Sequence, residues 1–351
     1  MPAEKLRNFM PFIVLLLLMG ASAMSLPRLA SEQSLSCNHC HINPSGGGMR
    51  TEFGNHSVAL NELVIPQTKK LFRDKYKGTR ISESVRYGFD SRYLILDNSR
   101  IFRMQTDFYL NLELFKNMRF QLRIGEDPFG NTQVFESYGL YQWQDEKYYL
   151  KYGRFSPNYG LRTDDHTAYT RARTGHGSND YLDGFSVGAS FNDFYFSGEI
   201  FNPQQQGLYL FNVSRISNYK NLGYILGVSL QISENLSGVS SLYHDSKSVY
   251  GSLSYDRFTL MGEIAVAGSE NDSLITYINL TTRIQYGIYF ISEYNFFDGN
   301  RDLKNGVDEF YRYSLEIYPI PFFSVRPSYT IYTEGFLKDE KDYFVQLHLG
   351  Y

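Results

Sequence analysis

The most constraining feature of this 351-residue chain is an alternation of apolar and polar side chains that begins near residue 81. Between residues 102 and 114, Phe, Met, Thr and Leu fill the even positions, whereas Arg, Gln, Asp, Tyr, Asn and Glu fill the odd ones. Successive side chains of a β-strand point to opposite faces, so this period predicts strands with one apolar and one polar face. Comparable runs occur at 118–124, 222–232, 258–266, 274–284 and 343–351. We therefore predict that residues 81–351 are all-β.

Two architectures use strands of this kind. A soluble sandwich buries the apolar faces between two sheets, whereas a membrane barrel turns them to lipid and keeps the polar faces in its lumen. Strands of about ten residues, aromatic residues near strand ends and an amphipathic final strand that ends at Tyr351 favour the barrel. Aromatic residues make up 17% of the chain, enough for the aromatic girdles of such a barrel. The predicted fold is a transmembrane antiparallel β-barrel.

The spacing of turn residues predicts how the barrel is connected. We expect sixteen strands, centred near residues 90, 107, 121, 138, 151, 187, 197, 226, 240, 251, 262, 279, 291, 313, 327 and 346. Short turns are predicted at 116–117, 145–146, 192–193, 233–234, 255–256, 285–286 and 319–320, and long links at 156–182, 203–218, 298–306 and 333–341. Outer-membrane barrels have short periplasmic turns and long extracellular loops, so this pattern predicts which end faces the outside of the cell.

Residues 1–23 have the organisation of a secretory signal peptide. Lys5 and Arg7 give a positive start, residues 10–19 form a short apolar run, and residues 21–23 (Ala-Ser-Ala) offer a cleavage site. An uncleaved anchor helix fits less well, because the apolar run is shorter than the roughly 20 residues that a spanning helix needs. The signal predicts export. Together with the barrel, it predicts the outer membrane of a Gram-negative cell.

The chain contains two cysteines, and both lie in one motif. Cys37 and Cys40 belong to the sequence Cys-Asn-His-Cys-His, which ends at His41. This C-x-x-C-H pattern is typical of covalent haem c attachment: the thiols bond to the haem, and the histidine is the proximal iron ligand. The alternatives are a redox pair or local disulfide and a zinc site. A redox pair expects a βαβ context, and zinc expects more Cys or His ligands. We predict that Cys37, Cys40 and His41 bind one haem c.

Residues 24–80, between the signal peptide and the barrel, are the predicted haem-binding segment. The glycines at 46–48 permit a tight turn close to a flat cofactor. Met49 and His56 are the nearest candidates for the distal iron ligand, and the sequence does not decide between them. The segment is too short for an ordinary self-contained cytochrome domain. We therefore expect it to dock into the barrel lumen, with the haem in or beneath the barrel.

Several charged residues fall on the polar faces of the predicted strands. Arg103, Arg119 and Arg123 would form a positive wall suited to haem propionates. The simpler alternative is that these arginines pair with Asp107 and Glu113 inside the barrel. Other residues expected in the lumen are Arg312, Arg326, Glu316 and His348.

The longest predicted loop contains a compact polar cluster. Asp164, Asp165 and His166 lie together, and carboxylates with imidazole can hold a divalent cation such as iron. Aspartate clusters also open turns, and we expect that turn role here. Arginines near the cluster in sequence are Arg162, Arg171 and Arg173.

The order of signal peptide, one C-x-x-C-H site and porin-like barrel resembles the fused monohaem cytochrome–porins of the outer membrane. The best-known members of that family are associated with bacteria that oxidise iron outside the cell. The resemblance covers the whole chain in layout, and its only sharp motif is the haem site, where Cys37 and Cys40 match the attachment residues and His41 the axial one. It implies an electron-transfer protein in the outer-membrane lipid.

An electron-transfer role also implies partners, because one haem shortens the path across the membrane without closing it. Electrons would move between an extracellular donor or acceptor, with ferrous iron as one candidate donor, and a periplasmic c-type cytochrome or another soluble redox carrier. The chain would be an enzyme only if it took electrons directly from such a substrate. The competing hypotheses are a diffusion porin with a periplasmic haem sensor or tether, and a sheath for a separate multihaem cytochrome. A net charge of −3 does not predict nucleic-acid binding.

Overall fold

The computed structural model describes most of the chain. The described residues are 27–73, 78–96, 100–163, 165, 167–176, 181–202, 207–234, 245–268, 273–301 and 306–350. The predicted signal peptide, the loop residues Asp164 and His166, and the C-terminal Tyr351 lie outside them.

Strands β2–β17 form a closed antiparallel barrel of sixteen strands, which confirms the predicted fold class. The barrel closes where β17 pairs with β2. The paired residues run from Phe344 opposite Leu96 to Gly350 opposite Asp90. A short strand, β1, pairs with β2 at the start of the barrel. The strands are β1 Arg80–Ser82, β2 Val85–Leu96, β3 Ile101–Phe115, β4 Met118–Glu126, β5 Thr132–Trp143, β6 Tyr148–Phe155, β7 Leu182–Phe191, β8 Phe194–Phe201, β9 Leu208–Tyr219, β10 Leu222–Ser233, β11 Ser246–Tyr255, β12 Phe258–Ala267, β13 Ser273–Gln285, β14 Ile288–Asp298, β15 Val307–Ile320, β16 Phe323–Glu334 and β17 Lys341–Gly350.

The two faces of the sheet have the polarity of a membrane barrel. On β10, Leu226 and Val228 are 59% and 51% exposed on the outer face, whereas Ser229 and Gln231 are buried on the inner one. The other strands also expose large apolar side chains on their outer faces, and their inner faces bury polar side chains together with an apolar cluster that includes Tyr138, Phe155 and Phe201. Apolar side chains outside and polar side chains inside are the reverse of a soluble sandwich. The predicted alternation and its barrel interpretation are therefore confirmed.

One strand differs from the prediction. Residues 208–219, which were expected to lie mostly in a long link, form β9, and β9 pairs along its whole length with β10. The strand predicted near residue 240 falls outside the described residues, and the barrel closes without it because β10 pairs directly with β11. Leu208, Leu210, Asn212 and Ser214 carry an alternating pattern, but the polar and glycine residues before them suggested a loop. The predicted count was right because the two errors cancel.

The connections alternate in length around the barrel. Short turns join β3–β4, β5–β6, β7–β8, β9–β10, β11–β12, β13–β14 and β15–β16, all at one end, which we call the short-turn end. Asn192, Lys220 and Asp256 in these turns have φ values of 52°, 56° and 53°, as tight hairpins require. The predicted turn at 233–234 is instead the start of a long link, because the additional strand β9 shifts the alternation by one.

Residues 27–73 are called the plug here: their first helix is partly buried against the inner face of the barrel, whereas the helix at 66–73 has no buried residue and contacts the short-turn end. The plug contains α1 (Pro27–Gln33), α2 (Cys37–Cys40), a π-helical turn (Gly54–Ala59) and α3 (Pro66–Arg73). Arg28 of α1 forms a buried ion pair of 2.5 Å with Glu316 on β15. None of the helices among the described residues is long and apolar enough to span a membrane.

The link between β6 and β7 also folds into the barrel. The described part of residues 156–176, called the inner loop here, includes α4 (Tyr169–Ala172). The backbone N–H of Asn158 donates to Glu199 over 2.7 Å, and that of Leu161 donates to Glu263 over 2.9 Å. The lumen is therefore occupied by the plug together with the inner loop.

Candidate functional site

The C-x-x-C-H motif forms a single helical turn followed by a sharp change of direction. Cys37 and Cys40 begin and end α2, and a spacing of three residues places both thiols on one side of the turn. The backbone N–H of His41 donates to the carbonyl of Cys37 over 2.9 Å and ends the helix. Both thiols are free and half-buried, whereas His39 between them is exposed. The motif therefore directs its two thiols and its last histidine inward.

A small hairpin positions His41. The backbone N–H of Ile42 donates to Met49 over 2.9 Å, and His41 pairs with Arg50 in an antiparallel bridge. The turn between them is made by the glycines at 46–48, whose φ values of 83°, 72° and 63° would strain other residues. The hairpin thus places His41 and Arg50 side by side at its base, and Ile42 and Met49 form the next pair.

Residues 51–54, which follow the hairpin, pack against the motif. A Cβ at Gly54, in the π-helical turn, would collide with the carbonyl oxygen of Cys40, so only glycine allows the two turns to pack this closely. The side-chain hydroxyl of Thr51 donates to the carbonyl of His39 over 2.6 Å and accepts the N–H of Gly54 over 3.1 Å. The position of α2 is therefore fixed by backbone contacts that the sequence motif alone does not specify.

These residues face a cavity inside the barrel, which we call the lumen cavity. The cavity has a volume of about 110 Å³. The plug contributes Cys37, Cys40, His41, Leu29, Val58 and Leu63 to its surface, and the barrel and inner loop contribute Asn158, Leu161, Tyr195, Asn212, Ile225 and Tyr250.

The residues present fit a covalently attached haem. Cys37, Cys40 and His41 all line one cavity whose surface is mostly apolar, as a flat apolar ring requires. Burial, with the positive charge of Arg50, lowers the pKa of His41 to about 3, so the imidazole is neutral, the form that binds a metal. The Nδ1 atom of His41 is buried and makes no hydrogen bond to the described residues. Arg50 and Arg162 also line the cavity and are suited to the two carboxylates of a haem.

The two candidates for the distal ligand lie elsewhere. Met49 is 2% exposed and packs with Ile42 against Tyr109 of β3. His56 is exposed on the π-helical turn. Neither is among the described residues that line the lumen cavity. The choice between Met49 and His56 stays a prediction, and in this arrangement neither side chain reaches the cavity.

The arginines predicted to face the haem are paired with carboxylates instead. Arg123 forms a buried ion pair of 2.5 Å with Asp107, and its guanidinium stacks on aromatic rings that include Phe135. Arg119 contacts Glu146 over 3.1 Å. Arg103 pairs with Glu126 over 2.5 Å. Arg50 and Arg162 line the lumen cavity instead, and sequence reasoning did not assign them to it because neither lies on a strand.

The other predicted candidates have structural partners. Asp165 of the inner loop pairs with Arg312 of β15, while Asp164 and His166 lie outside the described residues. Arg173 reaches Asp308 over 3.3 Å, Arg326 reaches Glu293 over 2.9 Å, and Arg171 is buried. Within the described residues, no group of three or more His, Cys, Asp or Glu side chains is placed to hold a metal ion.

His348 has a separate environment. Its Nε2 atom lies 3.1 Å from both carboxylate oxygens of Asp90, and both residues are buried. A second, smaller pocket near the short-turn end is lined by His348, Arg50 and Leu63. Because Arg50 and Leu63 also line the lumen cavity, the two spaces are neighbours.

Comparison with known proteins shows a likeness of fold. No protein-family model matches the chain, and no curated protein matches its sequence. OprB of Pseudomonas putida superimposes with a TM-score of 0.60 at 10% identity over 80% of this chain and 95% of that one. The outer-membrane protein OmpT of Vibrio cholerae gives 0.58 at 11% identity over 77% and 99%. The channel DcaP of Acinetobacter baumannii gives 0.50 at 11% over 78% and 99%. The chain therefore has the fold of outer-membrane porins and channels.

Proposed function

We propose that this protein is an outer-membrane electron conduit that carries one haem c, attached through Cys37 and Cys40, in the lumen cavity. Electrons would pass between an extracellular donor or acceptor and a periplasmic c-type cytochrome or another soluble carrier, and ferrous iron is one candidate donor. The observation that carries the proposal is the convergence of Cys37, Cys40 and His41 on one cavity inside a filled barrel.

Each group at the cavity has a defined task in this proposal. When bound, the haem supplies one-electron redox chemistry. His41 would bind the iron, and its low pKa keeps the imidazole neutral. Arg50 and Arg162 would neutralise the propionates, and Leu63 and Leu161 would exclude water from the ring. Excluding water and placing positive charge nearby both favour a higher reduction potential than a solvent-exposed haem would have.

The location of the cavity suits transfer across a membrane. The apolar band of an outer-membrane barrel is about 25 Å tall, and lipid of that thickness insulates electrons. A redox centre inside the lumen divides this distance without exposing the cofactor to lipid. The plug residues Ile65 and Thr68 hydrogen-bond to the backbone of Tyr318 and Pro319 at the short-turn end. Because short turns are periplasmic in such barrels, we place the soluble partner at that end.

The second candidate function is a diffusion porin, and the fold likeness to OprB and to DcaP favours it. Ion conductance separates the two. An open porin passes a large current. A barrel with the plug and the inner loop in its lumen should pass little, because Arg28 and Leu161 tie both segments to the wall.

The experiment that tests the proposal begins with covalent haem. The mature protein should stain for haem on a denaturing gel, and the Cys37→Ala/Cys40→Ala variant should lose the stain while still forming a barrel. A stain that survives in the double variant, or a native protein without haem, would refute the proposal. The purified haem protein, titrated with ferrous iron while the absorbance of the haem is recorded, should then become reduced if iron is the donor.

A further inference from the structure

Lys151 of β6 is a cation buried in the inner face of the barrel. Its side chain is 0% exposed, and its ammonium lies 3.9 Å from the centre of the Phe155 ring, within an apolar cluster that includes Tyr138. Nζ of Lys151 forms an ion pair of 3.8 Å with Glu199 of β8, which is also buried. An ammonium loses hydration at such a site, and a well-packed apolar side chain is often as stable there. Stability alone therefore does not account for this ion pair.

The ammonium of Lys151 holds the hairpin that carries His41. Nζ donates to the side-chain oxygen of Asn43 over 3.3 Å, and the same oxygen accepts the backbone N–H of Ser45 over 3.2 Å. Asn43 lies two residues after His41, just before the glycine turn. Lys151 therefore fixes the turn of the hairpin against β6.

The carboxylate of Glu199 holds the inner loop. Its Oε2 atom accepts the backbone N–H of Asn158 over 2.7 Å, and its Oε1 atom accepts the hydroxyl of Ser186 over 3.0 Å. The side-chain amide of Asn158 also donates to Ser197 of β8 over 2.9 Å. Asn158 lies four residues before Arg162, and both residues line the lumen cavity. Glu199 therefore fixes the start of the segment that brings Arg162 to the cavity.

The inner loop and the hairpin meet at the hairpin turn. The guanidinium of Arg162 donates to the carbonyl of Ser45 over 3.3 Å. A Cβ at Gly47 would lie 3.3 Å from the same guanidinium, so glycine at this position leaves room for the arginine. The turn is thus held by Lys151 from the barrel wall and by Arg162 from the inner loop.

Resting on the proposed haem attachment, we propose that Lys151 is a positioning residue for the haem. Its ion pair with Glu199 joins the hairpin that presents His41 to the inner loop that presents Arg162. The imidazole for the iron and the guanidinium for a propionate then keep a fixed relation to each other. Lys151 acts through Arg162: by keeping that positive charge beside the propionates, it raises the reduction potential of the haem.

Redox titration of the haem protein, followed by absorbance, tests this role. Lys151→Met should release the inner loop and shift the equilibrium between reduced and oxidised haem about tenfold toward the oxidised form, a fall of about 59 mV in midpoint potential. Lys151→Arg keeps the charge and should restore most of the potential. In Lys151→Met/Arg162→Gln the fall should be no larger than in Arg162→Gln alone, because the first substitution acts through the second residue.

Two further variants separate positioning from general damage. Lys151→Met/Glu199→Gln leaves no unpaired buried charge and should show the same fall as Lys151→Met. Arg326→Met is the matched control, because Arg326 is a buried cation of β16 with an ion pair of 2.9 Å to Glu293. Neither Arg326 nor Glu293 is among the described residues that line the lumen cavity. Arg326→Met should lower stability and leave the potential unchanged.

Three results would overturn the inference while leaving the proposed function intact. The potential of Lys151→Met could equal that of the unchanged protein, or Arg326→Met could produce an equal fall. The shifts of Lys151→Met and Arg162→Gln could also add in full, which would mean that Lys151 acts only as a distant charge. Absence of covalent haem from the unchanged protein would instead refute the proposed function itself.

Discussion

Two parts of the lumen wall differ in what their inner faces carry. On β3 and β4, called the charged wall here, the inner face holds large charged and aromatic groups. Among them, Arg123 pairs with Asp107 and stacks on Tyr109. On β10 and β11, called the small-residue wall here, the inner face holds mainly small residues. Every second position of β11 is serine except Tyr250, and β10 has Gly223 and Gly227. The first wall fills its own share of the lumen, whereas the second leaves room for the plug and the cavity.

The small residues are matched to the plug in detail. A Cβ at Gly223 would collide with the carbonyl oxygen of Ser31 in α1. The hydroxyl of Ser31 in turn accepts from Ser254 of β11 over 2.9 Å. Gly227 leaves space for the ring of Tyr250, which borders the cavity. The difference between the walls shows that one side of a barrel lumen can be adapted to hold a plug and a cavity by having small side chains, without additional functional ones.

The largest expected effect follows from removing the plug. Deletion of residues 27–73 should raise single-channel conductance several-fold, because the space beside the small-residue wall would fill with water and ions. The measurement is ion current through the protein in planar lipid bilayers. The Cys37→Ala/Cys40→Ala variant is the control, since it keeps the plug and should stay nearly closed. Equal conductance in all three proteins would show that the plug does not limit the pore.

Substitutions in the charged wall should lower the stability of the barrel and leave its conductance unchanged. Arg123→Ala leaves the buried carboxylate of Asp107 without its partner, which costs about 3–5 kcal/mol of unfolding free energy. Arg154→Ala is the control, because its ion pair with Asp183 is exposed and contributes less than about 1 kcal/mol. Urea unfolding of the barrel in lipid vesicles measures both. Similar losses for the two variants would contradict the view that β3 and β4 are held by internal pairing.

Larger side chains in the small-residue wall should weaken the docking of the plug. Gly223→Leu places a side chain where α1 lies, so the helix should leave its seat at a cost of about 1–3 kcal/mol, as for other overpacked sites. Protease should then cut the plug faster than in the unchanged protein. Gly139→Leu on β5 is the matched control, because a Cβ there meets no atom within 4 Å. Faster cleavage in both variants would mean that the barrel, not the seat of α1, was disturbed.

The sequence predicts this wall chemistry only in part. The period of two reveals which residues face the lumen, and it correctly placed Arg123 and Asp107 there. It does not reveal which inward residues meet each other. The pairing of Arg123 with Asp107 depends on the register of β3 and β4, which is set by the turn at 116–117 and an irregularity between Glu113 and Phe115. The strand at 208–219 was missed for a different reason, because the polar and glycine residues before it suggested a loop.

The motif region shows a different limit. The motif spacing grouped Cys37, Cys40 and His41 as one predicted haem site, and the three residues line one cavity. Arg50 and Arg162 were not linked to that group. Arg50 reaches the cavity through the bridge to His41, and Arg162 reaches it because the inner loop folds back into the barrel. Neither the bridge nor the folding of the inner loop produces a periodic pattern in the sequence. Contacts that loops make inside a lumen therefore cannot be predicted from such patterns.

The smallest expected effect tests which arginines face the haem, and it compares the two walls directly. Arg162→Gln removes a positive charge that borders the lumen cavity, and its guanidinium also donates to the carbonyl of Ser45 in the plug over 3.3 Å. Loss of this charge stabilises the oxidised haem relative to the reduced one. The midpoint potential should therefore fall by an amount on the order of 50 mV. Arg119→Gln, on the charged wall, should leave the potential nearly unchanged, because Arg119 is engaged with Glu146 and Gln142. Redox titration followed by absorbance measures both variants. A larger shift of the potential for Arg119→Gln would mean that the propionates face β3 and β4, and that the small-residue wall does not border the haem.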